Sequence, residues 1–97
     1  MIAHVVLFKF RPGFDREHPQ VQALHAEMKK LPQRIPQIRA WEHGFNVTAD
    51  VQAWDYALRS TFADEHDLHA YFEHPAHLPL LTGWESVAEL AFVDFAS

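Results

Sequence analysis

Eight of the 97 residues are histidine, as many as lysine and arginine combined. An imidazole can serve as a general base or acid, as a metal ligand, or as a charge that changes near neutral pH. His66 and His69 lie three apart, with Glu73 four beyond His69, a spacing that could hold a divalent metal on a helix surface. With no further strong ligand fixed by the fold, a solvated helix face is the simpler account. His4 interrupts an apolar run. There it either lines a pocket or is a core imidazole satisfied by a neighbour, because a buried imidazole left unpaired is costly. His77 follows the break at Pro75, where the chain turns and a side chain can lean over a helix–sheet cavity. The plain alternative is a local hydrogen bond that fixes the turn. His74, just before Pro75, suits a helix end. His18, His25 and His43 show no partner logic.

Composition narrows the chemistry. There is no cysteine, so disulfides, thiol catalysis and cysteine-based zinc sites are excluded. The formal net charge is −5 with histidine neutral, which disfavours binding to a phosphate backbone. Protonating all eight histidines would carry it to +3, so the charge reverses in mild acid. No phosphate-loop glycine pattern, Ser-His-Asp signature or nucleic-acid motif is present. The apolar run Ile2 to Phe8 is too short for a membrane helix and has no signal-peptide flanks. A single domain over residues 1–97 in the cytoplasm is expected.

The elements that must position these residues follow from periodicity. Ile2 to Phe10 is a strand with Ile2, His4, Val6, Phe8 and Phe10 on one face. A helix begins near Pro19 and carries the stripe Val21, Leu24, Met28 and Leu31, with Pro32 as its stop. Ile38 to Phe45 is a weakly alternating strand. Trp54 to Phe62 alternates cleanly, with Trp54, Tyr56, Leu58 and Phe62 on one face. Asp64 caps a second helix whose buried stripe is Leu68, Tyr71 and Phe72. His77 to Trp84 offers a further helical turn or two, and Val87 to Phe95 is the last strand. Arg59, on the other face of the third strand, is expected to pair with Asp55 or Asp94 across an interface.

The order β-α-β-β-α-β is the ferredoxin-like pattern of the α+β class: a four-stranded antiparallel sheet with helices on one face. The first and last strands are apolar on both faces. A bare apolar face of that size marks an association surface, most simply a symmetric homodimer forming an α/β barrel.

Two segments, His4-Val-Val-Leu-Phe-Lys-Phe10 and Tyr71-Phe-Glu-His-Pro-Ala-His77, resemble the stress-responsive A/B barrel domain (Dabb) family. Ile35-Pro36-Gln37-Ile38 and Val93-Asp94-Phe95 extend the resemblance over essentially the whole chain. It implies a dimeric α+β barrel and, for most members, no established activity. One member, olivetolic acid cyclase, closes a linear polyketide by an aldol reaction without a cofactor. By residue-wise match, Tyr71 and His77 would be its catalytic pair, and His4 a pocket residue. Where that enzyme has a third-strand histidine, this sequence has Tyr56. Neutral His77 would take a proton beside a carbonyl while Tyr71 donates to the developing enolate oxygen. Phe8 and Leu58 are expected to line the same pocket with His4 and Tyr56. The resemblance thus implies a small protein binding an apolar or aromatic molecule, or else a cofactor-free cyclase, lyase or isomerase. A structural dimer with no ligand is the third possibility. No cofactor, metal, nucleic acid or membrane is expected as a partner.

Overall fold

The computed structural model describes residues 1–97. Its elements are β1 (Ile2–Phe10), α1 (Pro19–Met28), α2 (Leu31–Arg34), β2 (Ala40–Phe45), β3 (Tyr56–Phe62), α3 (Glu65–Phe72), α4 (Leu78–Val87) and β4 (Ala88–Ala96). The sheet order is β2-β3-β1-β4, and every neighbouring pair is antiparallel. This is the ferredoxin-like α+β arrangement. No helix is long and apolar enough to cross a membrane.

Strand register decides which side chains meet. On the helix-facing side, one row reads Trp41, Ser60, His4, Asp94 across the four strands. The next reads His43, Leu58, Val6, Phe92, and the next Phe45, Tyr56, Phe8, Leu90. Val6, Phe8, Leu58 and Tyr56 are buried with the helix residues Val21, Met28, Leu68, Tyr71, Leu80 and Trp84. The opposite side carries Leu7 and Val93, which are 41% and 56% exposed, and Phe95. One sheet face is therefore covered and the other is bare, as expected for helices packed on one side of the sheet.

Several boundaries differ from the sequence-based expectation: β2 starts at Ala40 rather than Ile38, and β4 spans Ala88–Ala96 rather than Val87 to Phe95. Pro32 does not stop the first helical region. It stands in the first turn of α2, where its missing N–H costs nothing, and the break falls earlier, after Met28. Strand β3 starts at Tyr56 rather than Trp54. The Asp55 carboxylate accepts the Phe10 N–H at 2.7 Å, so a side chain takes over where the β1–β3 ladder ends. The expected turn or two after His77 is a ten-residue helix, α4, reaching Val87. Pro79 lies in its first turn, and Leu80, Trp84 and Val87 form its buried stripe. Gly83 lets α1 come close: a Cβ there would stand 2.6 Å from Leu24 Cδ2. Helix α4 then runs into β4 with no residue between them.

Within one protomer Arg59 pairs at 3.2 Å with Glu42, its direct neighbour across the β2–β3 ladder, and both are exposed. Asp55 caps the strand end, and Asp94 lies on the helix side of the sheet.

Candidate functional site

Helix α3 begins as its capping residue requires: the Asp64 side chain accepts the Asp67 N–H at 2.9 Å. That start places Leu68 and Tyr71 on the buried face. The Tyr71 ring rests on Phe62, with centroids 4.9 Å apart. Past Phe72 the chain turns tightly. His74 Nδ1 accepts the Ala76 N–H at 3.0 Å, and the His77 N–H donates to the His74 carbonyl at 2.9 Å. This turn brings the His77 ring to 4.4 Å from Tyr71. His4 arrives from β1, its ring centroid 5.8 Å from that of Tyr71. Three residues far apart in sequence thus meet at one place.

They open on a cavity of about 240 Å³ between sheet and helices. Eleven of its thirteen lining residues are hydrophobic, and the remaining two are His4 and His77. Phe8 and Leu58 line it as expected, together with Met28 and Trp84. No lysine, arginine, aspartate or glutamate is in the wall.

The ring nitrogens are assigned by their partners. The Asp94 carboxylate accepts from His4 Nδ1 at 2.5 Å, and the Phe72 carbonyl accepts from His77 Nδ1 at 3.0 Å. Neither oxygen can donate, so Nδ1 carries the hydrogen in both rings. In a neutral ring, Nε2 is then the bare nitrogen. Burial holds His77 below the usual histidine range, more strongly than its bond to the Phe72 carbonyl raises it; the nearby His4 and His74 lower it further. Burial pushes the Tyr71 phenol well above its ordinary value. The side-chain polar atoms enclosed without a partner are Gln37 Oε1 and Trp84 Nε1. The Tyr71 hydroxyl has no hydrogen-bond partner in the protein, and Tyr71 lines the cavity. At neutral pH the wall therefore offers a neutral base on His77 and a phenol donor on Tyr71.

Tyr56 stands elsewhere. It is not among the cavity-lining residues. Its ring backs Phe8 and Trp84, at 5.1 and 4.8 Å between centroids. Its hydroxyl lies 2.9 Å from His25 Nδ1 and 2.6 Å from His43 Nδ1. So His25 and His43 do have a partner, which their spacing in sequence did not reveal. His18 has one too: it caps α1 by accepting the Gln20 N–H at 3.1 Å. His66, His69 and Glu73 do not form a metal-binding group, nor does any other set of three such side chains.

Asp94 is the site residue whose role was missed. It shares strand parity with Leu90 and Phe92, which points to the helix side and to His4. Met28, Phe72 and Phe92 also belong to the wall.

Fold and site together define a ferredoxin-like domain with a helix–sheet cavity. The chain belongs to the stress responsive A/B barrel domain family, Dabb, whose profile matches residues 2–97. It is 35% identical over 95 residues to an uncharacterised protein of Streptomyces coelicolor, covering 98% of both chains. A dimeric ferredoxin-like protein of unknown function from Bacteroides fragilis is 30% identical, with a TM-score of 0.81 over 99% of this chain and 95% of that one. The fold is also that of a hydroxynitrile lyase from Passiflora edulis, at 16% identity and a TM-score of 0.82, covering 97% of this chain and 90% of that one.

Proposed function

We propose that this protein binds a small, uncharged, apolar or aromatic molecule in the cavity, as a homodimer that associates through the bare sheet face. One observation carries the reading: a largely apolar wall around about 240 Å³ brings the polar groups of His4, Tyr71 and His77 together as neighbours, with the indole of Trp84 elsewhere in the wall. An apolar cavity of about 150 Å³ accommodates benzene, so this volume suits one ring with a short polar substituent. With no cation in the wall, a carboxylate would lose its hydration without gaining a partner. Benzaldehyde and benzoate, titrated separately by amide NMR, test this. Benzaldehyde should shift the amides of Val6, Phe72 and His77, and benzoate should leave them in place. Equal binding of both would refute the uncharged class.

A second reading, cofactor-free lyase or isomerase chemistry, is favoured by the two anchored imidazoles. His77 Nε2 takes a proton from carbon beside a carbonyl. The electron pair moves onto the carbonyl oxygen, which accepts the Tyr71 O–H. His4, oriented by Asp94, holds the substrate from the other side of Tyr71. Exchange of the α-hydrogens of acetophenone for deuterium tests the step. Exchange above the buffer rate is expected, and it should vanish in His77→Ala. A wild-type rate equal to buffer would remove the enzymatic reading while leaving the binding one. The open cavity is what argues against a purely structural dimer.

A further inference from the structure

We infer that Tyr56, His25 and His43 form a pH-sensitive clasp behind the cavity, which holds α1 to the sheet until both imidazoles are protonated. The inference does not depend on what the cavity binds. It rests on proton counting. One phenol oxygen lies within hydrogen-bond distance of two Nδ1 atoms. A phenol has one hydrogen to give, so one Nδ1 must accept it and the other must donate its own. Three heteroatoms then share two hydrogens, and both contacts are satisfied. One further proton is tolerated, because the charged ring donates and the neutral ring, with its hydrogen on Nε2, accepts. With both rings protonated, three hydrogens lie between the same three atoms and the phenol hydrogen loses its acceptor. Tyr56 is buried, so water does not replace it. A proton on each ring adds repulsion between cations whose centroids are 5.4 Å apart.

The surroundings set the direction. The clasp joins three elements: His25 on α1, His43 on β2 and Tyr56 on β3. The ionised groups acting on His25 are Lys29 and Arg16, and on His43 Lys29, with His25 itself once protonated. All are cations, and no carboxylate opposes them. The other faces are aromatic: Phe45 and Trp84 against Tyr56, and Trp41 against His43. Desolvation and these cations both hold the two imidazoles below the usual range. Acid therefore opens the clasp. The consequence reaches the cavity from two sides, since Tyr56 supports Phe8 and Trp84, and α1 carries Met28.

Amide hydrogen exchange of the intact protein tests this at about pH 7.5 and about pH 4.5, the lower value lying well under the ordinary histidine value because both imidazoles are held below it. Rates are corrected for intrinsic exchange, and α1 is compared with β1 as a global reference. The protection of α1 relative to β1 should fall by about fivefold in acid, the loss of one hydrogen bond. The fall should disappear in Tyr56→Phe and in His43→Gln, whose amide takes up no proton. If Tyr56→Phe is too unstable to measure, His43→Gln and the imidazole nitrogen shifts of the unmodified protein decide. At the higher pH those shifts should show one bare and one hydrogen-bearing Nδ1. A pH-independent ratio in the unmodified protein overturns the clasp. So does a pH response retained in His43→Gln, or both Nδ1 atoms bearing hydrogen at the higher pH.

Discussion

Asp94 stands directly across the β1–β4 ladder from His4, 90 residues away in sequence, and its carboxylate receives the His4 Nδ1–H at 2.5 Å. A strand pairing thus does for His4 what a short turn does for His77. Each ring has its Nδ1 tied to an oxygen that can only accept.

Asp94→Ala removes that oxygen from a half-buried pair. A hydrogen bond to a charged group contributes about 1.5–3 kcal/mol. Urea unfolding should show a loss near the lower end, because Asp94 keeps some solvent contact. The His4 ring should then lose its single tautomer, visible in its nitrogen shifts. Unchanged shifts would show that Asp94 does not orient the ring.

Tyr71→Phe separates function from stability. The hydroxyl has no partner in the protein, so its removal should change stability by less than about 0.5 kcal/mol. Benzaldehyde affinity should fall by roughly tenfold, in line with the ~1 kcal/mol or more of a hydrogen bond in a dry site. A large stability loss with intact affinity would place the hydroxyl in the core instead.

Stability should form a plateau in pH. His77, His25 and His43 are held below the histidine value, so the unfolded chain binds protons that the folded one refuses. Their contribution is full above about pH 7 and is lost as pH falls through about 6.5 and below. Tyr71 and Tyr56 are raised, so their contribution is full below about pH 10 and is lost above it. Thermal melts from about pH 5 to about pH 11 check both edges. A melting temperature that rises steadily on acidification contradicts the histidine directions.

Leu7→Glu combined with Val93→Glu charges the bare face without touching the helix side. Sedimentation should turn a dimer into a monomer whose fold, by circular dichroism, is retained. A double variant that still dimerises would move the interface elsewhere.

Strand parity made most of the site legible. Once β1 and β3 are alternating strands, His4, Phe8 and Leu58 must face the helices, and a helix capped at Asp64 must bury Tyr71. The two departures have separate physical causes. Tyr56 lies on the helix side as its parity requires, but Phe8 and Trp84 stand between it and the cavity. Parity gives a face and no depth. Its partners His25 and His43 come from different elements, so no local spacing announces them. Helix α4 runs on to Val87, past the turn or two expected from His77 to Trp84, although Pro79 and Gly83 are both poor helix formers. One is harmless in a first turn, and the other is required by the approach of Leu24.

The junction of α4 and β4 has one more consequence. His77 immediately precedes α4, Asp94 lies near the end of β4, and the helix passes into the strand at Val87–Ala88 without a connecting residue. His77 and the support of His4 therefore lie at the two ends of one unbroken lever, with no slack at its fulcrum. A single residue inserted at that point would leave the helix intact and turn every later side chain to the opposite side of the sheet. Asp94 would point away from His4, and Val93 and Phe95 would be driven into the cavity side. Length at this junction is thus as strictly set as the identity of any residue in the wall.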